Sequence, residues 1–304
     1  MTAIPVILDT DIGFDVDDVW ALAMLLRCPE LDLRLVVTET GDTLYSARIV
    51  ARLLEIAGRS EIPIGIGIPL QATPQTHARW VAGYDIEAYP GPIVSDGVGA
   101  IVDTILQSAE PVTVIGIGPL PNIAAALQRE PAITQNSRFV GMHGSIRRGY
   151  LGSPKPSSEY NVAQFPKSAQ TVFGTPWDIT ITPLDTCGIV SLSGEKFAAV
   201  RDCPDPLTNA VLENHRLWLS DIDWEHLKDL DPEQQSSTLY DTVAVYLAFS
   251  EELVEMETLN LRVNDRGQTR IQEDGQPIRC ATAWNNLSAF EDLLVERLTS
   301  GGLG

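Results

Sequence analysis

Short apolar runs alternate with longer stretches whose apolar residues recur at helical spacing along most of the chain. Ile4 to Leu8 is a short apolar run that suits a buried parallel strand. Val19 to Leu26 is apolar almost all round, as a buried helix is. Leu33 to Val37 reads as a second strand, Tyr45 to Ala57 as a helix stopped by Gly58, and Ile62 to Gly67 as a third strand. The rhythm continues with a helix over Val98 to Gln107, a strand over Val112 to Ile117 and a helix from Pro121 to Gln128. Phe139 to Met142 predicts a strand, Ser168 to Phe173 a helix and Asp178 to Pro183 a strand. Such alternation implies right-handed βαβ units. The expected fold class is therefore α/β, with a mostly parallel central sheet flanked by helices.

Two stretches interrupt the pattern. Gln71 to Pro92 is rich in proline, glycine and aromatic residues and reads as a loop. His215 to Ser237 carries Trp218, Trp224 and His226 and reads as an irregular helical insertion. Both are candidate lids over a site, and surface loops are the plainer reading of the first. Asn260 to Gln276 suggests a polar hairpin and Asn286 to Leu298 a final helix. No linker-like stretch divides the chain, so residues 1–304 are expected to form one domain with lid-like insertions near 71–92 and 215–237.

Composition narrows the partners. Asp and Glu number 41 against 21 Lys and Arg, a formal net charge of −20. So acidic a chain repels a phosphate backbone, which argues against a nucleic-acid polymer as partner. The four cysteines have no CxxC spacing, so neither a zinc ribbon nor a dithiol motif is present. Pro111 to Gln128 is an uncharged stretch that is interrupted by Gly116, Gly118, Pro119 and Pro121. That reads as strand, turn and helix start, and no membrane span is expected. The expected location is the cytoplasm.

The candidate chemistry begins at Asp9-Thr10-Asp11-Ile12-Gly13-Phe14-Asp15-Val16-Asp17-Asp18, directly after the first strand. Open α/β sheets bind ligands at the carboxyl ends of their strands. Asp9 and Asp11 share one side of an extended chain. Asp17 and Asp18 open the next helix, where the dipole favours negative charge. Helix capping accounts for one or two acids but not for five, whose mutual repulsion calls for a counter-charge. A hard cation with oxygen ligands, Ca²⁺ or Mg²⁺, answers that need. Glu159 and Asn161 are also two apart and suit a polyhydroxylated ligand, or else a solvated loop. Asp241 precedes an apolar helical run, where it either caps the helix or completes a metal site.

Taken together, these segments resemble the inosine-uridine-preferring nucleoside hydrolase family. Its signature, DxDxGxDD before an apolar helix, stands here as DTDIGFDVDDVWALAML, with two extra residues before the last Asp pair. Further matches follow in order: TGDT around Gly41, IPIGIG at Ile62, VTVIGIGPLPNIAAAL at Val112, VGMHG at Val140, SEYNV at Ser158, TPLDTC at Thr182 and LYDTVAVYLAF at Leu239. The resemblance implies a single Rossmann-like α/β domain with Ca²⁺ at the strand ends. It also implies hydrolysis of the N-glycosidic bond of a small nucleoside, in a homodimer or homotetramer. Carried over by position, Asp11, Asp18, Asp241 and the Ile117 carbonyl hold calcium, with Asp15 of the longer turn a further candidate. Asp11 is the implied general base. Asp17, Glu159 and Asn161 are implied to hold ribose hydroxyls.

The departures fall on the base-binding half. Asp42 stands where the family often has Asn, and is a candidate substrate contact. Tyr240 stands where a His often precedes the last ligand Asp, Ala82 falls near another family His, Ser153 near a second Asn, and Phe165 replaces an acid. Tyr240 and His143 are therefore candidate acids for the leaving group, with Trp224 stacking on the base and His226 protonating it. Two alternatives stay open. One is a calcium- and ribose-binding relative without turnover. The other is a Mg²⁺-dependent phosphohydrolase of the haloacid dehalogenase type, which also begins with a strand and Asp-x-Asp. The second leaves the acids after Gly13 and the GPLPN and EYN segments without a role.

Overall fold

The computed structural model describes residues 2–301; residue 1 and residues 302–304 of the expected domain lie outside them. Among the described residues ten strands form one sheet in the order β4-β3-β2-β1-β5-β6-β7-β10-β8-β9. These are β1 (Ile4–Thr10), β2 (Leu31–Thr38), β3 (Ile64–Ile66), β4 (Ile93–Val94), β5 (Val112–Gly116), β6 (Ser137–Met142), β7 (Ile179–Thr182), β8 (Val254–Val263), β9 (Thr269–Ile271) and β10 (Gln276–Trp284). From β4 to β10 every neighbouring pair is parallel; β8 and β9 add an antiparallel edge. The chain winds from β1 outward to β4 on one side, then returns to β5 and winds the other way. The topological switch point, where open α/β sheets bind ligands, therefore lies between β1 and β5. There Ile117 N–H donates to the Asp9 carbonyl at 2.9 Å.

The sheet has a core on each face. Val6 and Leu8 belong to one and Ile7 to the other, the alternation that a strand buried on both faces requires. Helices α1 (Asp17–Leu25), α2 (Thr43–Ile56), α3 (Gly97–Gln107), α4 (Pro121–Arg129), α5 (Tyr160–Gln164) and α6 (Pro166–Gly174) follow in order. Beyond β7 come α7 (Leu184–Cys187), α8 (Gly194–Arg201), α9 (Pro206–Asp221), α10 (Thr242–Leu247) and α11 (Leu287–Thr299). Among the described residues no helix is long and apolar enough to cross a membrane.

Three expectations change. The polar hairpin at 260–276 is part of a larger meander, β8 to β10, whose last strand joins β7 in the main sheet. Its half-exposed strands mix polar and apolar residues, so the sequence marks only their polar turn region. The insertion at 215–237 does not begin at His215, which sits inside α9. That helix starts at Pro206, where the Asp205 carboxylate accepts from Leu207 and Thr208 N–H at 3.0 and 3.1 Å. The irregular part starts at Ile222 and carries one short 3₁₀ turn, Glu225–Leu227. Within 71–92 only Ile86–Ala88 is helical, and the two-residue β4 just beyond was not anticipated.

Candidate active site

The end of β1 and the start of α1 build the floor of the site. Asp9 is fully buried and faces the fold: its Oδ1 accepts from Asn122 Nδ2 at 2.8 Å. Asp11 is the next residue on that side and lines a cavity of about 450 Å³ at the switch point. Gly13 makes the turn with φ +123°, and a Cβ there would meet the Tyr45 ring at 2.7 Å. Asp17 and Asp18 then occupy the first turn of α1, and the Thr10 hydroxyl donates to Asp18.

Helix α10 packs on α1 and brings in the last acid. Asp241 N–H donates to Asp17 Oδ2 at 3.3 Å. One oxygen from each of Asp17, Asp18 and Asp241 lies within 4.8 Å of the other two. Burial pushes all three carboxyls up from their ordinary range, and neighbouring carboxylates push further. Asp11 is raised by the same causes, burial first. Among the described residues no lysine or arginine lines the cavity. Buried hard oxygens with no basic partner fit a hard divalent cation. Asp15, expected among the ligands, lies outside this triad, and Asp17, expected on ribose, lies within it.

The opposite wall comes from the ends of β5 and β6 and from α5. Glu159 caps α5 and accepts from Asn161 N–H at 2.6 Å, Val162 N–H at 3.1 Å and Gly144 N–H at 2.9 Å. Burial still raises it to about 7 against those three bonds. Asn161 Nδ2 donates to the Ile117 carbonyl at 3.1 Å and to the Met142 carbonyl at 3.0 Å. Glu159, Asn161 and Ile117 all line the cavity.

Aromatic rings form the upper wall. Phe14 stacks on Tyr160 with centroids 5.5 Å apart and meets Trp224 at 5.4 Å. His226 stacks on Trp224 at 5.9 Å, and Tyr150 meets Tyr240 edge-on at 6.0 Å. Trp224 and His226 of the second insertion line the cavity, as does Tyr240. Phe14, Tyr150 and Tyr160 were missed from sequence. Aromatics beside a motif residue are as often packing as binding, and only the fold brings these three together.

Two expected residues are not brought in. His143 is fully buried outside the cavity lining, with Nε2 donating to the Gly118 carbonyl at 2.9 Å. Burial lowers its imidazole to about 4. Asp42 caps α2, accepting from Tyr45 N–H at 2.9 Å and Gln75 Nε2 at 3.0 Å, and does not line the cavity. One further acid escaped the sequence reading. Glu39, at the end of β2, is fully buried and lies beside Gly118 and Asp11, with Oε1 lacking a hydrogen-bond partner.

The model of the inosine-uridine preferring nucleoside hydrolases matches residues 6–297. The chain belongs to that family. The non-specific ribonucleoside hydrolase RihC of Klebsiella pneumoniae is 34% identical over 208 residues. That match covers 65% of this chain and 66% of the relative, just under two thirds of its length. A plant nucleoside hydrolase superposes with a TM-score of 0.83 at 21% identity, covering 98% of this chain and 99% of the other. The inosine-uridine preferring nucleoside hydrolase from Bacillus anthracis gives 0.77 at 20% identity, covering 97% and 99%. At such identities these two establish the shared nucleoside hydrolase fold. In this chain the acids stand at the end of β1, in the first turn of α1 and directly before α10.

Proposed function

We propose that this protein hydrolyses the N-glycosidic bond of ribonucleosides to ribose and free base, with Ca²⁺ as its metal. The observation that carries the reading is the buried triad Asp17, Asp18 and Asp241 sharing one cavity with Asp11 at the sheet's switch point. Asp18, Asp241, Asp11 and the Ile117 carbonyl would hold the cation, with Asp17 beside it. When bound, the cation supplies Lewis acidity and a grip on the ribose diol.

The protein's own groups do the rest. Asp11 takes the proton of the attacking water. Glu159 and Asn161, fixed by backbone bonds, hold ribose hydroxyls. Positive charge that develops on the sugar ring in an oxocarbenium-like transition state is met by the surrounding carboxylates. The base lies against Phe14, Tyr160 and Trp224, and we assign the proton donation to Tyr240 or His226, both of which line the same cavity. Four free, buried cysteines fit a reducing compartment, and we place the enzyme in the cytoplasm. The homodimer or homotetramer implied by the family belongs to the same proposal.

A reducing-sugar assay over a panel of nucleosides tests the reading. Ribose is released with calcium present and not after chelation. Asp11→Asn lowers kcat by about 10²–10⁴. Tight calcium binding without ribose release from any nucleoside would favour a non-catalytic binder instead. Phosphate release from a phosphate ester would favour the phosphohydrolase.

A further inference from the structure

We infer that this site is built for nucleosides whose 5′-carbon carries a small apolar group, such as an alkylthio substituent, in place of the free hydroxyl. The inference rests on the hydrolase reading above and deepens it at the ribose end of the cavity, where Leu151 is the specificity-determining residue.

The backbone is the first ground. Leu151 has φ 54° and ψ 33°, in the left-handed region that a bulky side chain rarely adopts. The core does not repay that conformation, because Leu151 is 57% exposed. Strain of this kind persists only where the surroundings impose it, and it gathers at ligand sites. Here the surroundings are fixed. The Asp185 carboxylate accepts from Ile146 N–H at 2.9 Å and from Arg147 N–H at 2.8 Å. Gly149 N–H donates to the Ser153 carbonyl at 2.9 Å and closes the turn that carries Leu151.

The second ground is what this loop offers the cavity. Residues 145–158 are rich in polar side chains, Arg148, Ser153, Lys155 and Ser157 among them. Among the described residues only Tyr150 and Leu151 of the loop line the cavity. Tyr150 Oη already accepts from Tyr160 N–H at 2.8 Å. Gly152, the next residue after Leu151, lies against Ile189: a Cβ on it would stand 3.1 Å from Ile189 Cγ2. Ile189 is itself 42% exposed. Leu151 and Ile189 thus flank Gly152 and form an apolar shelf continuous with the cavity.

The third ground is which part of a nucleoside reaches the shelf. Both feet of the loop meet at Glu159. Gly144, just before the loop, donates its N–H to Glu159 Oε2 at 2.9 Å, and Glu159 is the residue that follows the loop. Glu159 holds the ribose in the reading above. The base is taken by Phe14, Tyr160 and Trp224 and the diol by the cation, which leaves the 5′-substituent for this loop. A 5′-hydroxyl set against Leu151 gives up water and gains no polar partner from it, whereas an alkylthio group buries apolar surface there.

The test measures kcat/KM of the calcium-loaded enzyme, by release of the base, for inosine, adenosine and uridine, each beside its 5′-deoxy-5′-methylthio analogue. The analogue is expected to lead its parent by about tenfold, chiefly through KM. Leu151→Asn suits the left-handed backbone and removes the apolar contact, so it should bring that ratio down by about tenfold, while Leu151→Met keeps most of it. Ile189→Ser gives a smaller loss in the same direction and serves as the test should the loop variants fail to fold. A parent that outruns its analogue in the wild type would overturn the inference and leave the hydrolase reading standing. So would a ratio that Leu151→Asn does not move; a change of oligomeric state in that variant would then give the shelf to a second copy of the chain. No base released from any of these compounds would remove the hydrolase reading and the inference with it.

Discussion

Tyr240 carries the sharpest residue-level question about neutral nucleosides. It sits directly before Asp241, so its backbone is fixed by the same contact that brings Asp241 to Asp17. Its phenol lines the cavity, whereas His226 is exposed at the rim. A donor held against the bond being cleaved contributes more than one free to swing in solvent. Tyr240→Phe should therefore lower kcat on uridine by about 10²-fold, and His226→Ala by only a few-fold. Steady-state kinetics of both variants on inosine and uridine decide it. A larger loss in His226→Ala would make the imidazole the acid and leave Tyr240 as packing against Tyr150.

At the level of elements, β1, β2 and the chain leaving β3 converge on Asn122 in the first turn of α4. Its Nδ2 donates to Asp9 Oδ1 at 2.8 Å and to the Thr38 carbonyl at 3.2 Å, while its Oδ1 accepts from Ile68 N–H at 2.9 Å. One amide thus joins β1, β2 and the chain leaving β3. Asn122→Ala leaves a fully buried carboxylate, a carbonyl and an N–H without that partner. It should cost about 2–4 kcal/mol, read from the midpoint of urea unfolding. In the sequence, Asn122 was visible only as part of the GPLPN segment; its role is set by three elements far apart along the chain. The same contrast holds across the site. Asp11, Asp17 and Asp18 were legible because motif and strand end coincide, and Asp241 because an apolar helix follows it. Glu39 was not, since one acid at a strand end carries no local signal. His143 misled because a histidine beside a glycine at a strand end looks alike whether it turns into the core or toward ligand. The parallel sheet was legible from its apolar runs, and the meander at its edge was not, because half-exposed strands lack them.

Across the whole molecule, three of the four histidines are buried where a proton is unwelcome. His77, His143 and His215 lie in different parts of the fold, and burial lowers each to about 4. The unfolded chain takes up protons on these residues as pH falls below about 6.5, while the folded protein holds them neutral until about 4. Unfolding then takes up protons, so their contribution to stability is complete above pH 6.5 and is lost as pH falls toward 4. At pH 5.5 each costs about 1 kcal/mol. His215 isolates the effect from the metal site. Its ring lies among Trp20, Phe197 and Trp218, and neither ring nitrogen has a hydrogen-bond partner. His215→Phe keeps the aromatic packing and removes the titrating group. Calorimetry of the calcium-loaded proteins should show the wild-type Tm falling between pH 7.5 and 5.5, with the variant falling by about 2–4 °C less. Equal falls would mean that His215 is already protonated in the folded state or is reached by water there. Acid sensitivity would then belong to the carboxylate site alone, where protons and calcium compete for the same oxygens.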